Sequence, residues 1–339
     1  MRSGPLLLFG LSLLVLSAGQ AWSGPPTREE GEQRVKLAAD LKSALAAETM
    51  AAGKAAVLSR AYKAEPNPDI RRVVFDFVPA APDGALDRFL IDVLTGDADA
   101  GIRILAAKAL GARGTDQCLP ALAKAAAADK ETEIRVGCIV GRSDARRAAT
   151  FALAELAIRY PKLADKAAAV LRELPPAANA KDAESQADAR VQALYQVTRD
   201  EMLLAPFFER LRSKDTKVRE SGVVAFRYFN LKVAPPELVA TLKDEDAGVR
   251  SWTALVLGEI RDRKTAPVLM KAAEDPKQDI GMRCNAIFSL GRMKAADATS
   301  LIRKLLADPD ERVQTQAAIA LYRLTGEKVK QFPAGYNAD

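Results

Sequence analysis

The 339-residue chain contains no histidine. This excludes catalytic triads and dyads built on imidazole and removes the commonest transition-metal ligand. Only three cysteines are present, Cys118, Cys138 and Cys284, and none forms a CxxC pair. Their spacing leaves two readings open: a disulfide between Cys118 and Cys138, or three small buried helical residues. Aromatic residues make up only 6% of the chain, and Phe207, Phe208, Phe226, Tyr228, Phe229 and Trp252 are concentrated in one stretch, which reads as core packing rather than a ligand platform. No Walker phosphate loop, G-x-S-x-G elbow or EF-hand loop occurs, so no constellation of residues identifies a reaction. After Leu16 no apolar run is long enough to cross a bilayer, which takes roughly 20 residues.

What is present begins with MRSGPLLLFGLSLLVLSAGQAWSG. A basic start at Arg2, an apolar core from Leu6 to Leu16 and small residues at Gly19, Ala21 and Ser23 have the form of a secretory leader. Residues 1–23 are therefore expected to be a signal peptide, and the protein is expected to be exported to a bacterial periplasm or the extracellular space. The formal charge is +6, from 50 basic and 44 acidic residues, with the two signs interleaved along the chain. Such mixing describes a solvated surface better than a nucleic-acid stripe. The densest basic run is RLRSKDTKVR, Arg210 to Arg219.

The strongest signal is internal repetition. DAGIRILAAKALGA (Asp99 to Ala112), DTKVRESGVVAFRY (Asp215 to Tyr228), DAGVRSWTALVLGE (Asp246 to Glu259) and DIGMRCNAIFSLGR (Asp279 to Arg292) align on an arginine, and DERVQTQAAIALYR (Asp310 to Arg323) continues them with Gln314. Arg71, Arg103 and Arg135 are 32 apart, and Arg219, Arg250, Arg283 and Gln314 follow at intervals of 31, 33 and 31. Each unit reads as two helices. The first has an acid at its start, a small residue three after the anchor (Ala106, Gly222, Thr253, Ala286, Ala317), a large apolar one at seven (Leu110, Phe226, Leu257, Leu290, Leu321) and often glycine at eight. The second is shorter and amphipathic, as in TAPVLMKAAED and ATSLIRKLLAD, and closes in a D-x-D or D-P turn. Neither helix buries its apolar stripe alone, so the units must stack into a solenoid. The acid lies four residues before the arginine, which places both on one helix face, and at the helix start it can cap free N–H groups.

These D-x-x-[VIM]-R and A-x-x-x-L-G units resemble the HEAT-repeat proteins, in particular the short HEAT-like repeats named after phycobilisome lyases. The resemblance is clear over Gly96 to Asp129 and Lys214 to Thr325. It implies an all-α fold, an α-solenoid of about eight or nine stacked helix pairs in a HEAT-like superhelix. It also implies that the acid–arginine residues form a ladder between adjacent repeats. With the family's layout, second helices line the concave surface, which makes Phe208, Arg212, Lys271, Arg303 and Lys304 the candidates for partner contact. The motif is informative about fold and nearly silent about activity.

The period fails in the middle of the chain. From Arg103 one alignment continues to Arg135, treating Glu131 and Arg135 as another acid–arginine pair; the other continues to Arg146, with Ala149 at three and Leu153 at seven, and then to Arg190. Both place irregular backbone near Glu131 to Arg142, and a second interruption falls at PPAANAKDAESQADA, Pro175 to Ala189. The expected organisation is a leader (1–23), an N-terminal helical cap (24–65), N-terminal repeats (66–174), an irregular insertion or hinge (175–189), C-terminal repeats (190–325) and a tail (326–339). The expected function is a non-enzymatic protein–protein interaction scaffold with a protein partner, no cofactor, no catalytic or metal residue and no membrane span after leader cleavage. The alternatives are a chromophore-lyase-like or other modifying enzyme on HEAT-like repeats, and a nucleic-acid-binding HEAT-like protein.

Overall fold

The computed structural model describes residues 27–79, 84–128, 134–135, 142–176, 180–333 and 336. The expected leader lies outside the described residues. Two compact units divide at Leu203 and Leu204. The described residues contain seventeen α-helices, and within each unit these pack in adjacent pairs in the manner of HEAT-like repeats.

The N-terminal unit begins with α1 (Arg28–Ala47), whose start is a capping box between Thr27 and Glu30. Next come α2 (Ala51–Ala64), α3 (Pro68–Arg71), α4 (Asp87–Gly96), α5 (Ala100–Arg113) and α6 (Leu119–Ala128). A two-stranded antiparallel pair, β1 (Ile134–Arg135) with β2 (Arg142–Ser143), precedes α7 (Ala145–Arg159), α8 (Ala164–Glu173) and α9 (Ala180–Thr198). The C-terminal unit contains α10 (Ala205–Leu211), α11 (Thr216–Ala225), α12 (Pro236–Ala240), α13 (Ala247–Ile260), α14 (Ala266–Glu274), α15 (Ile280–Arg292), α16 (Thr299–Leu305) and α17 (Glu311–Thr325).

The repeat explains where the first helices start. Asp99, Asp144, Asp215, Asp246, Asp279 and Asp310 are N-caps whose carboxylates accept backbone N–H groups of the first turn. A short acceptor there satisfies donors that have no partner within the helix and meets the positive dipole end. The same helices then stack on one another: α5 on α7 and α7 on α9 in one unit, α11 on α13, α13 on α15 and α15 on α17 in the other. The core falls on the positions the repeat marks. Leu110, Leu153, Phe226, Leu257, Leu290 and Leu321, seven after each anchor, are all fully buried, as are the small residues Ala106, Ala149, Thr253, Ala286 and Ala317. Phe207, Phe226 and Phe229 meet edge-on or tilted inside this core.

The middle of the chain differs from one of the two alignments. Arg135 lies in β1, paired with Arg142, and not on a helix as the first alignment requires; Glu131 lies outside the described residues. Gly137 and Gly141 weaken any helical continuation by about 1 kcal/mol each. The repeat resumes at Asp144 and Arg146, as the second alignment requires. The expected irregular insertion also needs correction, because α9 makes Ala180 to Ala189 helical. AKDAESQADA lacks large apolar residues, yet it is composed mainly of good helix formers and has neither proline nor glycine. Pro175 and Pro176 are non-helical, and residues 177–179 lie outside the described residues.

The aspartates of the D-x-D turns carry a pH dependence. The Arg283 guanidinium beside Asp308 holds that carboxyl below its ordinary value of 3.8. Arg312 similarly holds Asp310 down at about 2. A carboxyl whose pKa is depressed by folding contributes stability that is present above its unfolded value and is lost as pH falls. Thermal denaturation should therefore show stability falling between pH 4 and pH 2, and Asp308→Asn with Asp310→Asn should flatten that slope. An unchanged slope would contradict the assignment.

Candidate functional site

The repeating arginines are the first residues to place. Arg250 donates to the carbonyls of Asp244 and Glu245, at 2.8 and 3.0 Å, and through Nε to Gln278 of the next repeat at 3.1 Å. Arg219 bonds the carbonyls of Ser213 and Lys214 in the same way and grips Asp244 of the next repeat with two bonds, at 2.8 and 2.9 Å. Arg283 reaches Ala273 O at 3.0 Å and Asp308 at 3.3 and 2.5 Å. Arg71 meets Asp97 at 3.2 Å. Gln314 keeps the carbonyl contact, donating to Asp308 O at 2.7 Å.

The two aspartates of each D-x-D turn therefore have separate tasks. The second caps its own helix. The first accepts the backbone N–H of the second, as Asp244 does from Asp246 and Asp308 from Asp310, and receives the arginine of the preceding repeat. The expected ladder between repeats is present, while Arg219, Arg250 and Arg283 do not pair with the acid four residues earlier. That acid is already occupied by backbone donors, and its short side chain stays at the helix end.

The five candidate contact residues fall into two groups. Phe208 is half-buried and stacks on Phe226, with ring centroids 5.6 Å apart. Arg212 closes α10, is 59% exposed and pairs with Glu209 at 2.8 Å. It borders an open cleft of about 300 Å³ between α10 and α12, also lined by Leu211, Glu237, Thr241, Lys243 and Asp244. The second group is Lys271, exposed on α14, with Arg303 and Lys304 on α16. Lys304 crosses to Glu274 of α14 at 2.8 Å, and Arg303 pairs with Glu327 beyond α17 at 2.6 Å. Lys271 and Glu274 share α14, so Lys304 is brought beside Lys271; no bond joins this group to Phe208 and Arg212.

Residues 204–281 and 277–332 match the family model of HEAT repeats. Residues 204–332 are therefore HEAT repeats. The matched span carries α10 to α17, the ladder from Arg219 to Gln314 and all five candidate contact residues. No curated protein matches this chain. Among solved structures, it is similar to human deoxyhypusine hydroxylase in complex with glycerol, at 14% identity and a TM-score of 0.36 over 82% of this chain and 98% of that one. It is similar to YibA of E. coli at 15% identity and a TM-score of 0.36, over 89% and 99%. It is also similar to the complex of CpcE and CpcF of phycocyanin lyase from Nostoc, at 21% identity and a TM-score of 0.22, over 71% and 65%. At such identities and scores none of the three transfers an activity to this chain.

Cys118 is a free, fully buried thiol beside Asp87, and its burial first, then that carboxylate, push its pKa to about 12. Its proposed disulfide partner Cys138 lies outside the described residues. Cys284 is also free, with burial raising its pKa to about 11. Among the described residues no group of acids and cysteines is arranged to hold a metal ion, and no helix is long and apolar enough to cross a membrane.

Two functional relations escape a reading of single repeats. One is the acceptor role of Asp97, Asp244 and Asp308, whose signal is the D-x-D spacing. The other is contact between the glycine eight after one anchor and the residue six after the next: Gly111 with Ala152, Gly258 with Ser289, Gly291 with Ala320.

Proposed function

We propose that this protein is an exported, non-catalytic scaffold that binds another protein along the outward face of its second helices. The observation that carries the reading is the closure of the anchor arginines on backbone carbonyls and on the next repeat. That closure accounts for the recurring charges by stacking and supports a reading in which exposed side chains of the second helices contact the partner. Lys271, Lys304 and the partly exposed Val268 on α14 and α16 supply the mixed polar and apolar character that protein interfaces use. The basic start, apolar core and small residues of the first 23 positions support export.

The experiment compares wild type with a Lys271→Glu, Lys304→Glu variant, each immobilised and exposed to the native envelope fraction, with mass spectrometry of what is retained. The wild type should retain a defined protein that the variant loses, while circular dichroism and the melting temperature stay unchanged. The same retained set for wild type, variant and bare resin would end the scaffold reading. N-terminal sequencing of envelope-derived protein should begin after Ala21 or Ser23. A full-length cytoplasmic product would end the export reading.

A further inference from the structure

The two ends of the first helices in the C-terminal unit are electrically different. At their N-terminal ends the arginines are matched: Arg219 to Asp244 and Arg283 to Asp308. At their C-terminal ends cations outnumber carboxylates. Glu259 receives a two-bond grip from Arg227 at 2.6 and 2.9 Å and only a 3.5 Å contact from Arg292. Arg261 and Lys294 are exposed and enter no ion pair. Arg263, also exposed, donates a single 3.4 Å bond to the carbonyl of Met293, which sets it beside Lys294. The nearby Asp262 is taken by the backbone N–H groups of Ala234 and Lys264.

A helix C-terminus favours cations, which accounts for the sign of this edge. It does not account for the backbone. Asn230, Arg261 and Lys294 stand eleven residues after successive anchors, and all three have left-handed backbones, with φ of 52°, 60° and 50°. Glycine or asparagine is the unstrained choice there, yet two of the three repeats carry a long cation. The left-handed turn itself is how these helices end, and Arg199 adopts it elsewhere; a long cation in place of glycine at Arg261 and Lys294 is what adds charge to this edge. The crowding is also felt at Arg292, which burial and then Arg261, Arg323 and Arg227 push below the ordinary arginine value despite Glu259.

We propose that the edge formed by Arg261, Arg263, Arg292 and Lys294 is a docking site for an acidic, extended segment of a partner protein. Charges contributed by consecutive repeats suit a chain of successive carboxylates better than one isolated anion. Arg227 with Glu259 shows the fork geometry in which a guanidinium of this edge holds a carboxylate. A nucleic acid fits less well. The adjacent ring of Phe288 is 7% exposed and lies 4.7 Å beneath the Arg323 guanidinium, so it offers no face for a base to stack on. The class of ligand rests on the protein-binding reading above, but the surface is a different one.

The test is fluorescence anisotropy of the full chain with a labelled hexaglutamate peptide at low ionic strength. Binding should appear and weaken with added salt. An Arg261→Gln, Arg263→Gln, Lys294→Gln variant should bind about tenfold more weakly, the product of three surface charges each worth about twofold. Arg261→Gly should raise the melting temperature while weakening binding, two opposite effects that a merely unfolded variant cannot produce. Lys271→Glu with Lys304→Glu should leave the peptide affinity unchanged, so loss of envelope capture in that variant leaves this edge intact. The proposal is overturned by absence of binding in the wild type, by equal affinity in the triple variant, or by a short DNA duplex binding as tightly as the peptide.

Discussion

Replacing Arg283 with alanine should destabilise the C-terminal unit by about 3 kcal/mol, the cost of leaving one member of a buried ion pair alone. For a unit of this size that corresponds to a fall of roughly 10 °C in melting temperature. Arg283 is 4% exposed, and its guanidinium satisfies the Asp308 carboxylate and the Ala273 carbonyl together. Without it, an acid whose side chain is only 7% exposed keeps its charge in a site built to neutralise it. Arg283→Met with Asp308→Leu should recover most of the loss, because removing both charges removes the desolvation problem.

The same substitution elsewhere should cost less, in an order the contacts set. Arg250 is 18% exposed at its side chain, uses the neutral Gln278 as its cross-repeat acceptor, and approaches Asp279 only to 3.9 Å. Arg250→Ala should cost about 1 kcal/mol, the net value of ordinary hydrogen bonds. Lys271→Ala, at an exposed position, should stay within about 0.5 kcal/mol of wild type. Thermal denaturation by circular dichroism measures all three, and equal losses at Arg283 and Lys271 would contradict the ladder.

Gly258→Ala should destabilise even though alanine is the better helix former. The propensity gain is about 1 kcal/mol. Against it, a Cβ at position 258 would lie 2.4 Å from the Ser289 Cβ and 2.7 Å from its Cα, so the obstacle includes the backbone of α15 and no rotamer change clears it. Separating two packed helices to admit a methyl costs roughly 1–3 kcal/mol, and the Ser289 hydroxyl would also be driven from its 2.8 Å bond to Ala254 O. The steric loss wins, and Gly258→Val should be worse. Gly31→Ala in α1 is the control, since nothing lies within 4 Å of the added methyl; there the propensity gain of up to about 1 kcal/mol should appear. Urea unfolding of both variants decides the matter, and a gain at Gly258 would show that the helices are not in contact as described.

These two expectations also separate what each level of description provides. Helix starts were legible because an N-cap aspartate acts on backbone N–H groups two or three residues ahead of it. Core positions such as Leu257 and Ala286 were legible because one turn of helix spaces the buried face at regular intervals. The five candidate contact residues were named from a family layout, and only their exposure and pairings could be read afterwards. Phe208 stacks on Phe226, in keeping with the aromatic cluster that the sequence reads as core packing, while the ring geometry is decided by the packing of two helices.

From residues alone come the repeat, its period, the capping acids, the buried leucines and the all-α class, since all depend on groups close together in the chain. The tertiary structure decides which carboxylate an arginine chooses. Arg219 and Arg283 each have an acid four residues before and another 25 residues after, and stacking brings the distant one into place once the near one is occupied by its own helix. It also decides that Arg135 belongs to a strand, that Gly258 faces Ser289, and that the cations at the far ends of the same helices exceed the carboxylates available to them. Those outcomes depend on the distance between neighbouring repeats, which no local spacing along the chain encodes.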